Sequence, residues 1–311
     1  METKLKILPP EIMKALEVPP IDDKTKDSLA FLREAVNAPD REEVDKMVEK
    51  KIAEFHCVHK VHMVKPEGSI KLSEQPRHFL FPDILQAVNA GIPVALIGPA
   101  GAGKSTLSEQ VAEALGMKYY LQNSVTGEHQ LTGYMDAYGK YHSTPFRTAF
   151  EQGGTILVDE VDASDPSALK WMNTALAQGL AQFPDQESPV KGHKDFRIII
   201  GANTFGNGAD RIYVGANQLD ASTLDRFVFF DFRYDEKLEL LLAGNVDWVR
   251  RVQKLRKAAR EEKARIVISP RASINGAKLL TIGWDRKVIE NRTIWKNIDE
   301  ELRARIEKRA A

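Results

Sequence analysis

The sequence predicts an α/β protein, a parallel sheet flanked by helices, with a helical N-terminal region before it and a helical unit after it. Three observations predict this. Four short apolar runs, "IPVALIG" (92–98), "GTILVDEVD" (154–162), "FRIIIGAN" (196–203) and "FVFFDF" (227–232), are too brief for helices and are separated by helical stretches. That alternation is expected of a parallel sheet covered on both faces. A glycine-rich turn directly follows the first run, and no strand pattern remains after Tyr234.

Taken in order, residues 1–78 read as a helical N-terminal region. "DKTKDSLAFLREAVNA" (23–38) and "DREEVDKMVEKKIAEF" (40–55) carry apolar residues at helical spacing on either side of Pro39. "FHCVHKVHMV" (55–64) alternates as an edge strand does, and "KPEGSIKLSEQPRH" reads as a linker. The α/β core is expected over residues 79–233, opened by the helix-like "FPDILQAVNAG". A helical lid is expected over 234–311, where "DEKLELLLAGNVDWVRRVQKLRKAAREEKARI", "SPRASINGAKLLTIGW" and "TIWKNIDEELRARIEKR" all read as helix.

Composition narrows the class. At 311 residues the chain can bury a sizeable core, and 44 basic against 44 acidic residues exclude a globally basic nucleic-acid binder. The only cysteine, Cys57, allows no intramolecular disulfide, and the charged, Pro-Pro-containing start does not read as a signal peptide. No stretch approaches the roughly 18–20 apolar residues of a membrane span. The expectation is a soluble, cytoplasmic protein.

"GPAGAGKST" fits G-x-x-x-x-G-K-[ST] between an apolar strand and a helix. Its small residues Gly98, Pro99, Ala100, Gly101, Ala102 and Gly103 let backbone N–H groups curl around phosphates at a helix N-terminus. Lys104 then reaches the β- and γ-phosphates, while Ser105, followed by Thr106, offers a hydroxyl to Mg²⁺. The turn therefore reads as the P-loop of an NTPase. In "TILVDEVD", Asp159 is placed to hold the Mg²⁺ and Glu160 to deprotonate a water, which favours hydrolysis over transfer to a small acceptor. Asn203, ending the next apolar run, can hydrogen-bond the γ-phosphate or the lytic water without adding charge.

A glycine-rich loop, an Asp-Glu strand, an Asn strand, an Arg-Phe strand and a helical tail, in that order, resemble an AAA+ ATPase over roughly residues 79–285. Within that group the chain is most similar to the MoxR-like and cobalt-chelatase ATPase-subunit branch. "FPDQESPVKGHKDFRIIIGANTFGNGADRIYVGANQLDASTLDRF" and "SPRAS" carry that similarity. The resemblance implies a homo-oligomeric ring, commonly a hexamer, with ATP between neighbours. It also implies that Arg226 of "LDASTLDRF" is an arginine finger for the next subunit, an element that contributes ~10³–10⁵ in rate. An ion pair with Asp225 or Asp220 is the alternative. Arg211 is a second candidate at that interface. Arg271 of "SPRAS" matches the family's second sensor, at the start of a lid helix.

The resemblance also implies that "TGEHQLTGYMDAYGKYHSTPF" (126–146) forms a hairpin lining a pore, with Tyr134, Tyr138 and Tyr141 near its tip, and "FPDQESPVKGHKD" (183–195) is a second projection. His56, Cys57, His59 and His62 suggest zinc, but they lack the second pair of a structural site. From Val246 to Ala311 there are 18 Lys/Arg against 9 Asp/Glu, about +9 in all, which raises contact with nucleic acid.

The reading this supports is a ring-forming, Mg-dependent ATPase that remodels or activates a protein partner. By resemblance that partner is a protein client or a chain bearing a von Willebrand A domain. A nucleic-acid-stimulated motor and a nucleotide-gated scaffold without turnover are the alternatives, and GTP remains open because the loop reads phosphates and not the base.

Overall fold

The computed structural model describes residues 75–209, 211–296 and 298–311, together with the backbone of an antiparallel pair, Val64–Lys65 with Gly68–Ser69. The helices expected at 23–38 and 40–55 and the His56/Cys57/His59/His62 group lie outside the described residues.

Five parallel strands form the central sheet: β1 (Val94–Ile97), β2 (Tyr119–Gln122), β3 (Gly154–Val158), β4 (Phe196–Ala202) and β5 (Val228–Asp231). Their spatial order is β5-β1-β4-β3-β2. Successive side chains point to opposite faces, so each central strand feeds two cores. Ala95, Ile97, Ile156, Val158, Ile198 and Ile200 pack on one face with Phe146, Phe150, Leu169 and Met172. Val94, Leu96, Leu157 and Ile199 pack on the other with Phe81, Ile84, Leu107 and Val111. This two-sided burial explains why the strands read as continuous apolar runs.

Four helices supply those covers: α1 (Phe81–Asn89), α2 (Lys104–Leu115), α3 (Pro145–Gln152) and α4 (Pro166–Gln178). The last two start with Pro at the first helical position behind a capping side chain, Thr144 accepting from Arg147 N and Asp165 from Ser167 N. Such a cap stabilises a helix by about 1 kcal/mol.

The two projections expected from sequence are antiparallel pairs. Tyr134–Met135 pairs with Tyr141–His142, and Leu180–Ala181 with Val190–Lys191. At the tip of the first, Tyr138 is 96% exposed. Tyr141 is not at the tip: its hydroxyl donates to Thr132 O and its ring lies under the Arg147 guanidinium, 4.3 Å away.

Among the described residues, the C-terminal unit has five helices: α5 (Glu236–Ala243), α6 (Val246–Glu261), α7 (Pro270–Thr281), α8 (Arg286–Thr293) and α9 (Glu300–Ala310). The first of the stretches expected to be helical is two helices, divided at Gly244, a left-handed C-cap, with the second starting behind the Asn245 cap. Trp248, Val252, Leu255, Ile268, Ile289 and Ile306 form its own core. Buried among them, Arg256 forms a bidentate pair with Glu239, to which Ser273 Oγ also donates, so one carboxylate ties α5, α6 and α7 together.

Candidate functional site: a phosphate cleft between sheet and lid

The P-loop, the ends of β3 and β4, one side of α5 and the start of α7 surround a cleft of about 550 Å³. The loop leaves β1 at Gly98, where a Cβ would sit inside the Phe232 carbonyl, and turns through Gly101 and Gly103 at φ 76° and 98°. Larger residues would strain both positive-φ positions.

Lys104 opens α2 and is 8% exposed. Its Nζ donates to Gly98 O at 2.7 Å and to Asn203 Oδ1 at 3.0 Å, so the sequence-expected lysine and asparagine are in direct contact. Burial pulls this ammonium below its ordinary pKa, and the carboxylates of Asp159 and Asp162 oppose that shift. Ser105 Oγ donates to Asp159 Oδ2 at 2.9 Å. Asp159 and Glu160 both line the cleft, and Glu160 holds a left-handed backbone at φ 54° without being glycine. That conformation costs about 1–2 kcal/mol. The Glu160 N–H donates to Asp159 Oδ1 at 2.9 Å.

Arg271 is the second residue of α7 and lines the same cleft from the lid side. Arg226 does not line it. The Arg226 guanidinium donates to Ser222 O within its own turn, its Nε is buried without a partner, and it forms no ion pair with Asp220 or Asp225. Arg211 donates to Lys263 O in the lid.

Several residues that the sequence reading passed over complete the site. Ala100 is bracketed by two phenols: Tyr213 Oη accepts from Ala100 N at 3.0 Å, and Tyr234 donates to Ala100 O at 2.9 Å. Burial pushes the Tyr234 phenol up to about 12, so it remains a donor. Gly201 on β4 leaves room for the Asp159 carboxylate, which a Cβ would overlap. Asp162 Oδ2 accepts from Asn203 N (2.9 Å), Thr204 N (3.0 Å) and Thr204 Oγ1 (3.2 Å). Gln75, Pro76 and His78, which read as linker, line the cleft together with Leu238 and Leu242. His78 stacks on Phe232 at 4.1 Å, accepts from Leu80 N at Nδ1 and donates from Nε2 to Arg233 O.

A lysine cradled in a glycine loop, a Ser–Asp oxygen pair beside it and a carboxylate at the lip are groups that could hold a triphosphate and its cation. Residues 93–227 match the AAA domain of the dynein-related subfamily, AAA_5. The match covers the P-loop, the Asp159–Glu160 pair, Asn203 and Arg226. The chain is also similar to the gas vesicle ATPase GvpN of Ancylobacter aquaticus, 27% identical over 187 residues and half of each chain. GvpN of Haloferax mediterranei is 26% identical over 232 residues, 62% of this chain and 63% of that one. Midasin of Giardia intestinalis is 24% identical over 174 residues, 51% of this chain and 3% of that one. The matched regions thus span from half to under two thirds of the two gas vesicle relatives. Among solved structures, NtrX of Brucella abortus in complex with ADP has a TM-score of 0.49 at 16% identity, covering 91% of this chain and 67% of that one.

Among the described residues, no helix is long and apolar enough to cross a membrane.

Proposed function

We propose that this chain is a ring-forming, Mg-dependent ATPase that hydrolyses ATP at subunit interfaces and uses turnover to remodel or activate a protein partner. The observation that carries the reading is a division of labour. Lys104, Asp159, Glu160 and Asn203 line one cleft, whereas Arg226 lies outside it with no carboxylate partner in its own turn. An arginine finger supplied to a neighbour would be placed in this way.

In this reading the N–H groups of Gly98–Thr106 cradle the phosphates and Lys104 meets the β- and γ-oxygens. Asn203 orients the γ-phosphate or the attacking water, and Glu160 takes that water's proton. Arg271 couples the nucleotide to the lid. Ser105 Oγ and Asp159 Oδ2, adjacent hard oxygens at the lip, fit Mg²⁺, which favours few protein oxygens and retained waters. When bound, the ion would neutralise charge on the β- and γ-phosphates. The relatives named gas vesicle ATPases support ATP over GTP. A hexameric ring, a protein client or a von Willebrand A-domain partner, and a cytoplasmic location belong to the same proposal.

The nucleic-acid alternative has less support. Arg303, Arg305 and Arg309 of the basic tail are paired with Glu307, Glu301 and Glu262. Glu160 and Arg226 give the scaffold alternative no support either.

The test is an ATPase assay on Glu160→Gln, Arg226→Ala and their mixture. Each variant alone should be inactive, and the mixture should regain turnover by joining an intact finger to an intact site. No recovery from variants that bind ATP and co-assemble would remove Arg226 from catalysis across the interface.

A further inference from the structure

The turn that follows Glu160 is joined to more of the site than the catalytic pair needs. Asp162, 3% exposed, sits in the short 3₁₀ turn Val161–Ala163. No lysine or arginine among the described residues pairs with it; its charge is met by the three donors at the end of β4. A carboxylate satisfied in this way is a strong and directional anchor. Its carbonyl, meanwhile, accepts from Asn217 N at 2.6 Å, and Asn217 Nδ2 donates to Ser164 O at 2.9 Å. Residue 217 begins the stretch that continues through Leu219, buried in the core, to the short helix Ala221–Leu224 and Arg226. Within that helix, Thr223 Oγ1 accepts from the buried Asn173 of α4 at 2.7 Å.

We propose that Asp162 is a positioning residue that holds Asn203 against Lys104 with its carboxylate and, through its carbonyl, ties the Glu160 turn to the segment bearing Arg226. This rests on the ATPase reading above. The carboxylate grips the two N–H groups that flank the peptide after β4, so the Asn203 side chain leaves a fixed backbone towards Lys104. The carbonyl makes the same turn a bridge to the segment that would serve the neighbouring site. A shift of the Glu160 turn in one subunit thereby reaches the Arg226 that subunit presents. Asp162 itself touches no phosphate and takes no proton.

The test compares the full-length wild type with Asp162→Ala and Asp162→Asn. Alanine leaves three buried donors unmet, whereas asparagine keeps the shape and one acceptor oxygen. For Asp162→Ala we expect kcat to fall about 30-fold, with KM and affinity for a fluorescent non-hydrolysable ATP analogue within about 3-fold of wild type. Amide exchange should quicken about 10-fold in peptides covering 203–204 and 217–226, and remain unchanged in β3. Asp162→Asn should recover kcat to within about 5-fold. An unchanged kcat, or a joint loss of affinity and of protection throughout the sheet, overturns the proposal. Faster exchange confined to 203–204 overturns the link to Arg226. If Asp162→Ala does not fold, Asp162→Glu takes its place, since it keeps the charge but displaces the oxygens by a methylene; wild-type kcat there overturns the proposal. Absence of turnover in the wild type would sink the ATPase reading instead, and the exchange rates alone would then decide the role of Asp162.

Discussion

Lys104 Nζ and Asn203 Oδ1 are 3.0 Å apart, so the two polar groups that sequence places 99 residues from each other act on one point. Their contributions still differ in kind. Lysine carries charge that is attractive to triphosphate in every state, whereas the asparagine amide selects geometry. Lys104→Ala is therefore expected to weaken ATP binding about 10- to 100-fold, the equivalent of a charge-assisted hydrogen bond. Asn203→Ala should lower kcat by a similar factor and leave affinity within about threefold. Fluorescent-nucleotide titration alongside steady-state kinetics separates the two; equal losses of affinity would refute the division.

Gly201 offers a test that leaves every polar group in place. Its missing Cβ is the space that Asp159 Oδ1 occupies. Gly201→Ala should push that carboxylate away from Ser105 and raise the Mg²⁺ concentration needed for half-maximal turnover about tenfold, with a folded sheet. A wild-type Mg²⁺ dependence would mean that the carboxylate relocates at no cost.

Arg147 concerns the projections. It lies in the first turn of α3, bonds Glu151 at 2.8 Å and Asp185, and sits against the rings of Tyr141 and Phe183. One buried guanidinium thus connects the hairpin at 134–142 to the one at 180–191. Arg147→Met should cost roughly 2 kcal/mol in urea unfolding, less than for a fully buried pair because Asp185 is partly exposed. The loss should be larger than for Tyr138→Ala at the exposed tip, which is expected to be near zero.

His78 gives the chain a pH dependence with a definite sign. Burial lowers its pKa, against the hydrogen bond to Arg233 O and the nearby Asp235. The folded chain therefore holds it neutral where an unfolded histidine, at about 6.5, begins to protonate. Its contribution is fully present above that value and is lost as pH falls towards the folded pKa. Melting temperature should drop between pH 7.5 and pH 5.5, and His78→Gln should flatten that drop while lowering the neutral-pH value. An identical slope in the variant would assign the effect elsewhere.

How much of this was legible in the chain follows from burial and distance. β1, β3, β4 and β5 were visible because apolar residues crowd short runs, and the glycine loop and Asp159–Glu160 because their spacing is local. β2, "YYLQ", carries no such signal: it is an edge strand, partly exposed along its length, and needs few apolar residues. The hairpin strands are two residues long, too short for any period. Asp162 was in plain view in "DEVDAS", but its partners are 41 and 42 residues away. Tyr213 and Tyr234 reach Ala100 across more than 100 positions, and no local pattern encodes that. The break at Gly244 has a local signal, glycine at a left-handed C-cap followed by an asparagine N-cap.

The strand order has a consequence for how the chain is made. β1, which carries the phosphate loop, pairs only with β4 and β5. Its first partner is complete at Ala202, 105 residues after Ile97. At roughly 5–20 residues per second, a ribosome needs about 5–20 s to deliver it. Throughout that interval "VALI" leaves the exit tunnel as an unpaired hydrophobic strand, while β2 and β3 already have each other. Of the five strands, the one that carries the glycine loop waits longest for a partner, and it is there that a holdase chaperone would protect the nascent chain.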